Sequence, residues 1–311
     1  MGTPEFAAVS LRYLLDEKFE VIGVVTQPDR PKGRGLELVP SAVKTLAQQF
    51  DLPLWQPAKV DSPEFLEIFR QLNPDLVVVV AFGQKISATI LFEPKFGCIN
   101  VHGSLLPQYR GAAPIMWSLL KGDLQSGVTV MYMDEGWDTG DLISQASLTI
   151  DPDENFGSLY ARLAVLGGES LVKTIPQILS GTADRQKQNN DLATTAFKLK
   201  PGQQEIDWTQ SAQKIHNLVR ALAPAPGAET YLNNERYKIL ETKLVDSTNF
   251  TYCPCGGSGA IQQIVKKQGI LVATGDQPIL ITQMQPIGKR VMSAFECSNG
   301  RCLKEGMHFC K

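Results

Sequence analysis

Apolar and polar positions along the first half of the chain switch repeatedly between two periods. EVIGVVTQ (20–27) is rich in Val and Ile, ends at Pro28, and predicts a strand. PSAVKTLAQQF (40–50) places Val43, Leu46 and Ala47 at helical spacing, with Pro40 or Ser41 at its start. LPLWQ predicts a short strand. SPEFLEIFRQLN (62–73) predicts a helix capped by Ser62 with Pro63 at its first position. PDLVVVVAFG (74–83) carries the unbroken apolar run of a strand buried on both faces. CINVH (98–102) predicts a strand, APIMWSLLKGD a helix ending near Gly122, and GVTVMYMD (127–134) another strand. This alternation predicts an α/β fold with a mostly parallel sheet covered by helices on both faces.

The pattern then changes. FGSLYARLAVLGGESLVKTIPQILSG (156–181) predicts a long amphipathic helix with Leu159, Leu163, Leu166, Leu171 and Ile175 facing a core, bent at Gly167-Gly168 and Pro176. The polar stretch after it has no periodicity and predicts a linker. SAQKIHNLVRALAP (211–224) predicts a helix, and the remainder breaks into short strands separated by turns, as in a small β barrel. The expected organisation is a first domain over 1–181, a linker over 182–202 and a β-rich domain over 203–311. The beginning is unusual: Gly2-Thr3-Pro4 has the character of a loop after a strand, and EFAAVSLRYLLDE of the helix after that loop. The opening strand is missing from this reading. A strand encoded upstream of Met1 is the favoured explanation, because losing a central strand leaves two unpaired edges.

Composition narrows the function. With 311 residues and 43% hydrophobic positions there is enough apolar material for two cores. A formal net charge of −2 gives no global field to attract a polyanion, so any nucleic-acid contact must come from a local patch. No run is long and apolar enough for a membrane span, and no basic region precedes the first apolar residues. A cytoplasmic protein is expected, or one of an organellar matrix or stroma if a transit segment precedes Met1. Of the six cysteines, five lie late in the chain (Cys253, Cys255, Cys297, Cys302 and Cys310). Their spacings are not those of paired zinc ligands, so scattered thiols and no metal are expected.

Candidate chemistry concentrates in CINVHGSLLPQYRGAAPI (98–115). Asn100 and His102 are two apart and so share one face of a strand. His102 falls at the carboxyl end, where ligands of open α/β sheets bind. An imidazole beside an amide can shuttle a proton and stabilise an oxyanion. A packed core histidine next to a tight turn is the plainer alternative. Ser104, Leu105, Leu106 and Pro107 form a constrained loop, and Arg110 stands among Gly111, Ala112 and Ala113. A second segment, MDEGWDTGDLI (133–143), offers Asp138 as a carboxylate to orient and charge the imidazole.

These residues carry a resemblance. Asn100-Val101-His102-Gly103-Ser104-Leu105-Leu106-Pro107, Arg110-Gly111-Ala112-Ala113-Pro114 and Asp138-Thr139-Gly140-Asp141 resemble the signature of the 10-formyltetrahydrofolate-dependent formyltransferases. The outer segments Gly2 to Ala7, Thr26 to Pro31 with Gly33-Arg34-Gly35, Val79 to Gly83, Ile206-Asp207-Trp208, Ala273 to Asp276 and Met292-Ser293-Ala294 are similar to the branch whose acceptor is methionyl initiator tRNA. The resemblance covers nearly the whole chain. It implies a Rossmann-like catalytic domain and an OB-like barrel that helps hold tRNA, with 10-formyltetrahydrofolate as donor. It matches Asn100, His102 and Asp138 to the catalytic triad and Ser104 to Pro107 to the folate-lining stretch. Arg34, with Arg30 and Lys32 beside it, matches a loop that reads the acceptor end of the tRNA. A monomer that works without metal is expected. Leu36-Glu37-Leu38 after the glycines is less basic than the family loop.

Three rival readings follow from the same residues. One is a formyltransferase acting on an amino-sugar nucleotide or another small amine, which would share the triad. Another is a tRNA-binding protein with a vestigial site, opposed by the intact Asn100, His102 and Asp138. The third is a dinucleotide-dependent dehydrogenase, opposed by the lack of GxGxxG after an opening strand.

Overall fold

The computed structural model describes residues 1–32, 37–245, 256–301 and 303–310. The chain forms two compact units. The first comprises Met1–Pro114, Gln125–Thr149 and Tyr160–Ala196; the second comprises Ile115–Leu124, Ile150–Leu159 and Phe197–Lys311. The polar stretch 182–202 is thus shared: its part up to Ala196 belongs to the first unit.

In the first unit, helix α1 (Glu5–Asp16) precedes strand β1 (Val24–Val25), the hairpin β2 (Arg30–Lys32) and β3 (Glu37–Val39), and α2 (Ala42–Gln49). Ser41 caps α2, its side chain accepting from the Lys44 amide at 3.0 Å. Strand β4 (Leu54–Trp55) pairs with β1 in parallel. Helix α3 (Pro63–Leu72) starts as its sequence predicts, with Ser62 accepting from the Phe65 amide. Strand β5 (Val77–Val79), helix α4 (Ala88–Phe92) and strand β6 (Cys98–His102) follow, and β5 and β6 run parallel.

Past β6 the direction of pairing changes. Helix α5 (Pro114–Lys121) leads to β7 (Gln125–Tyr132), which runs antiparallel to β6, and β8 (Leu142–Thr149) runs antiparallel to β7. The parallel pairs therefore carry the front of the fold, and an antiparallel extension completes the four-stranded sheet β5-β6-β7-β8. Helix α6 (Phe156–Leu179) continues through Gly167, Gly168 and Pro176. Its glycines serve packing: a Cβ at Gly168 would run into the Tyr13 ring of α1.

The start of the chain lies inside the sheet. Gly2 donates to Val25 O at 2.9 Å and bridges Val80 in parallel, while Val80 donates to Met1 O. Met1 and Gly2 thus occupy the position between β1 and the end of β5. An apolar cavity of about 560 Å³, lined by Leu11, Ile22, Val24, Val77 and Val78 among others, continues from there.

The second unit is built on α7 (Ala212–Leu222) and an antiparallel sheet. Its strands are β9 (Ala228–Leu232), β10 (Glu235–Leu244), β11 (Ile261–Val265), β12 (Gly269–Val272), β13 (Ile279–Pro286) and β14 (Met292–Ser293), followed by α8 (Ala294–Arg301). The order is β11-β12-β13-β10-β9 with β14 beside β13. Both edges are then closed by one late segment. Cys310 pairs with Tyr231 next to one edge and His308 with Ala260 next to the other, which satisfies backbone groups an open sheet would expose. Ile215, Val219, Ile239, Ile270, Ile279 and Phe309 fill the interior. Trp208 stacks on Phe309 at 5.7 Å and donates its indole N–H to Thr230.

Candidate active site

Strand β6 is buried along its whole length, and Asn100 and His102 sit on one face of it. His102 is 5% exposed and Asn100 9%. The His102 Nε2 lies 2.9 Å from the Tyr109 carbonyl. A carbonyl only accepts, so Nε2 carries the hydrogen and Nδ1 holds the lone pair of the neutral ring. Nδ1 faces Asp138 Oδ1 at 3.7 Å. A proton taken up at Nδ1 would lie against that carboxylate. Among the described residues, the Asn100 carboxamide makes no side-chain hydrogen bond.

Asp138 is held from several sides. Its Oδ2 accepts from the Gly111 amide at 2.7 Å, and its backbone sits at a φ of +54°. Gly111 has a φ of +122°, and a Cβ there would lie 2.9 Å from Ala196 O. Only glycine lets this strip of backbone present its N–H to the carboxylate while resting on the 196 carbonyl. Asp134 stabilises the same loop by accepting from Gly136 N and from the Thr139 hydroxyl.

The Ser104–Pro107 loop is fixed through Thr129, which stands opposite His102 in β7 and is fully buried. The Thr129 hydroxyl donates to Ser104 O at 2.6 Å and accepts from Leu106 N at 3.1 Å. Gln145 of β8 donates both to the Thr129 hydroxyl and to Leu106 O. Ser104 in turn donates to Gln108 O, so the loop closes on itself. Leu106 is buried, and the Leu106–Pro107 peptide is cis.

The structure brings Asn100, His102, Asp138 and the 104–107 loop together at the end of β6. Of the expected tRNA contacts, Arg30 and Lys32 belong to the β2–β3 hairpin. Arg30 is exposed on the β2–β3 hairpin, its guanidinium donating to Gln27 at 3.3 Å. Lys32 is in the same hairpin, and Arg34 lies outside the described residues. Three supporting groups have no signal in the sequence. Thr129 and Gln145 sit in strands with nothing to distinguish them, and Gln188 sits in a polar stretch without periodicity. Among the described residues no cluster of three or more His, Cys, Asp or Glu could hold a metal ion; Cys253, Cys255 and Cys302 lie outside them.

Residues 1–175 match the model of the formyl transferase family, and residues 198–301 match that of the formyl transferase C-terminal domain. This chain belongs to the formyl transferase family. The methionyl-tRNA formyltransferase of Geobacter metallireducens is 44% identical to this formyl transferase over 307 residues, 99% of the chain and 96% of that protein. That of Bacillus subtilis is 41% identical over 98% of the chain and 95% of that protein. Among solved structures, an N-formyltransferase from Helicobacter canadensis, in complex with folinic acid and dTDP-3-aminofucose, superposes with a TM-score of 0.66. It is 20% identical, covering 92% of this formyl transferase and 97% of that chain, a similarity of fold. Among the described residues, no helix of the formyl transferase is long and apolar enough to cross a membrane.

Proposed function

We propose that this formyl transferase moves the formyl group of 10-formyltetrahydrofolate onto the α-amino group of methionyl initiator tRNA. The observation that carries the reading is similarity across nearly the whole chain, both domains included, to methionyl-tRNA formyltransferases. The geometry at β6 fits the chemistry.

The methionyl amine adds its lone pair to the formyl carbon, and the carbonyl oxygen becomes an oxyanion. The His102 Nε2–H is committed to the Tyr109 carbonyl. The donor role expected of His102 therefore passes to the Asn100 carboxamide, whose N–H₂ has no partner among the described residues. A lost donor of this kind costs about 10²–10³ in rate. The attacking nitrogen gives up its proton to His102 Nδ1, and Asp138 balances the charge that forms on the ring. The same proton then goes to N10 as the C–N10 bond breaks, releasing tetrahydrofolate and the formylated amine. The Ser104–Pro107 loop, held by Thr129 and Gln145, lines the folate side.

The test mixes the protein with 10-formyltetrahydrofolate and methionine-charged initiator tRNA, with charged elongator tRNA and an amino-sugar nucleotide in parallel. Formyl-methionine on the initiator alone is expected. Formylation of the sugar amine without tRNA would replace this reading with the small-amine one. The exposed Arg30 and its neighbours account for tRNA contact, so the log of kcat/KM should fall linearly with the log of salt concentration. A flat response would remove them.

A further inference from the structure

The two nitrogens of His102 are served by different loops. Tyr109 O takes Nε2, and Asp138 faces Nδ1. One side chain far along the sequence ties these loops together. The Gln188 amide donates to Asp138 O at 2.9 Å and to Gly140 O at 2.8 Å. Its oxygen accepts from Arg110 Nε at 3.0 Å and Nη2 at 2.7 Å. Two carbonyls require a donor and a guanidinium requires an acceptor, so the orientation of this amide is fixed by its partners.

Arg110 is itself gripped by the same segment. Its amide donates to Thr194 O and its carbonyl accepts from Ala196 N, at 2.8 and 2.7 Å, while Nη2 reaches Asn190 Oδ1 at 2.8 Å. The Tyr109 amide donates to the Thr194 hydroxyl at 2.8 Å. The segment 188–196 is thus a strap across the loops on both sides of the imidazole, with Gln188 the one side chain in it that bonds both.

We propose that Gln188 is a positioning residue for formyl transfer, setting the distance between Asp138 and His102 by holding the 138–140 loop to Arg110. Within 188–196 the Gln188 carboxamide alone bonds both the 138–140 loop and Arg110. Glutamate keeps the acceptor for Arg110 but turns an oxygen toward the two carbonyls; methionine keeps the length and loses both functions. The kinetic part of this inference rests on the proposed formylation of methionyl initiator tRNA, while its structural part does not.

The test uses Gln188→Met and Gln188→Glu in the full chain, with Gln188→Ala in reserve if either fails to fold. Two readouts are taken. The first is kcat and KM for both substrates; the second is hydrogen exchange at the Gly111 amide, whose acceptor is Asp138 Oδ2. Misplacing a catalytic group by about 1 Å costs about 10²-fold. We expect kcat to fall about 10- to 100-fold in both variants, with each KM within about threefold of wild type and Gly111 exchange at least about tenfold faster. A Gln188→Glu enzyme with wild-type kcat would overturn the proposal, because Gln188 would then serve Arg110 alone. Unchanged Gly111 exchange in both variants would also overturn it. If wild type forms no formyl-methionyl-tRNA, the functional reading fails, and the exchange readout still decides the role of Gln188.

Discussion

Replacing Thr129 with valine removes one hydroxyl and keeps the side-chain shape. That hydroxyl donates to Ser104 O and accepts from Leu106 N and Gln145 Nε2. Gln145 retains Leu106 O as a partner, but Ser104 O and Leu106 N lose theirs in a site closed to water. A buried polar group left unpaired costs about 1–3 kcal/mol, so two give roughly 2–6 kcal/mol. With about 2–4 °C lost per kcal/mol in a unit of this size, melting should fall by at least about 4 °C. The damage is local to the 104–107 loop, so KM for 10-formyltetrahydrofolate should rise about tenfold or more while KM for the tRNA changes little. Calorimetry and initial-rate kinetics read the two effects. A Thr129→Val protein that melts within 1 °C of wild type, with unchanged folate KM, would refute the claim that Thr129 holds this loop.

Gly111→Ala should destabilise the first unit by about 2 kcal/mol or more. It combines a left-handed backbone with a Cβ against Ala196 O, and thermal melting measures the loss. It should also slow turnover, since the Gly111 amide is a tether of Asp138. His216 yields a pH prediction. It is 2% exposed, with Nε2 donating to Pro152 O and Nδ1 accepting from the Thr242 hydroxyl. Burial, with the Arg220 charge acting in the same direction, holds its pKa below the ordinary 6.5, outweighing Pro152, Asp153 and Thr242, which pull the other way. The unfolded state then binds the extra proton first, so stability is full above about pH 6.5 and declines as pH drops toward the folded value. The melting temperature should fall between about pH 7.5 and 5.5, and His216→Gln should flatten that slope; an equal slope in the variant would remove His216 as its source.

Much of the candidate site's geometry was legible because its residues sit in short-range patterns. The two-residue spacing of Asn100 and His102, the strand end at Gly103 and the glycine-rich loop around Asp138 are local features, and β6 and β7 place them as neighbours. The serine cap of α3 was legible for the same reason, whereas the start of α2 was left between Pro40 and Ser41. What was hidden depends on partners distant in sequence. Nothing near Gln188 shows that it meets Asp138, 50 residues earlier, and nothing near Thr129 shows that it serves Leu106. The antiparallel turn of the sheet was hidden because a buried strand such as GVTVMYMD reads alike in either direction. The division of labour on His102 was hidden too, since the Tyr109 carbonyl that occupies Nε2 is a backbone group available to any residue type.

In the proposed mechanism, the Nδ1 face of His102, backed by Asp138, carries the proton of the attacking amine. Single-turnover formylation of methionyl initiator tRNA by His102→Ala tests it most directly. In His102→Ala, tRNA binding should stay intact while the chemical step slows by about 10²–10⁴. A variant that transfers the formyl group at the wild-type rate would contradict it.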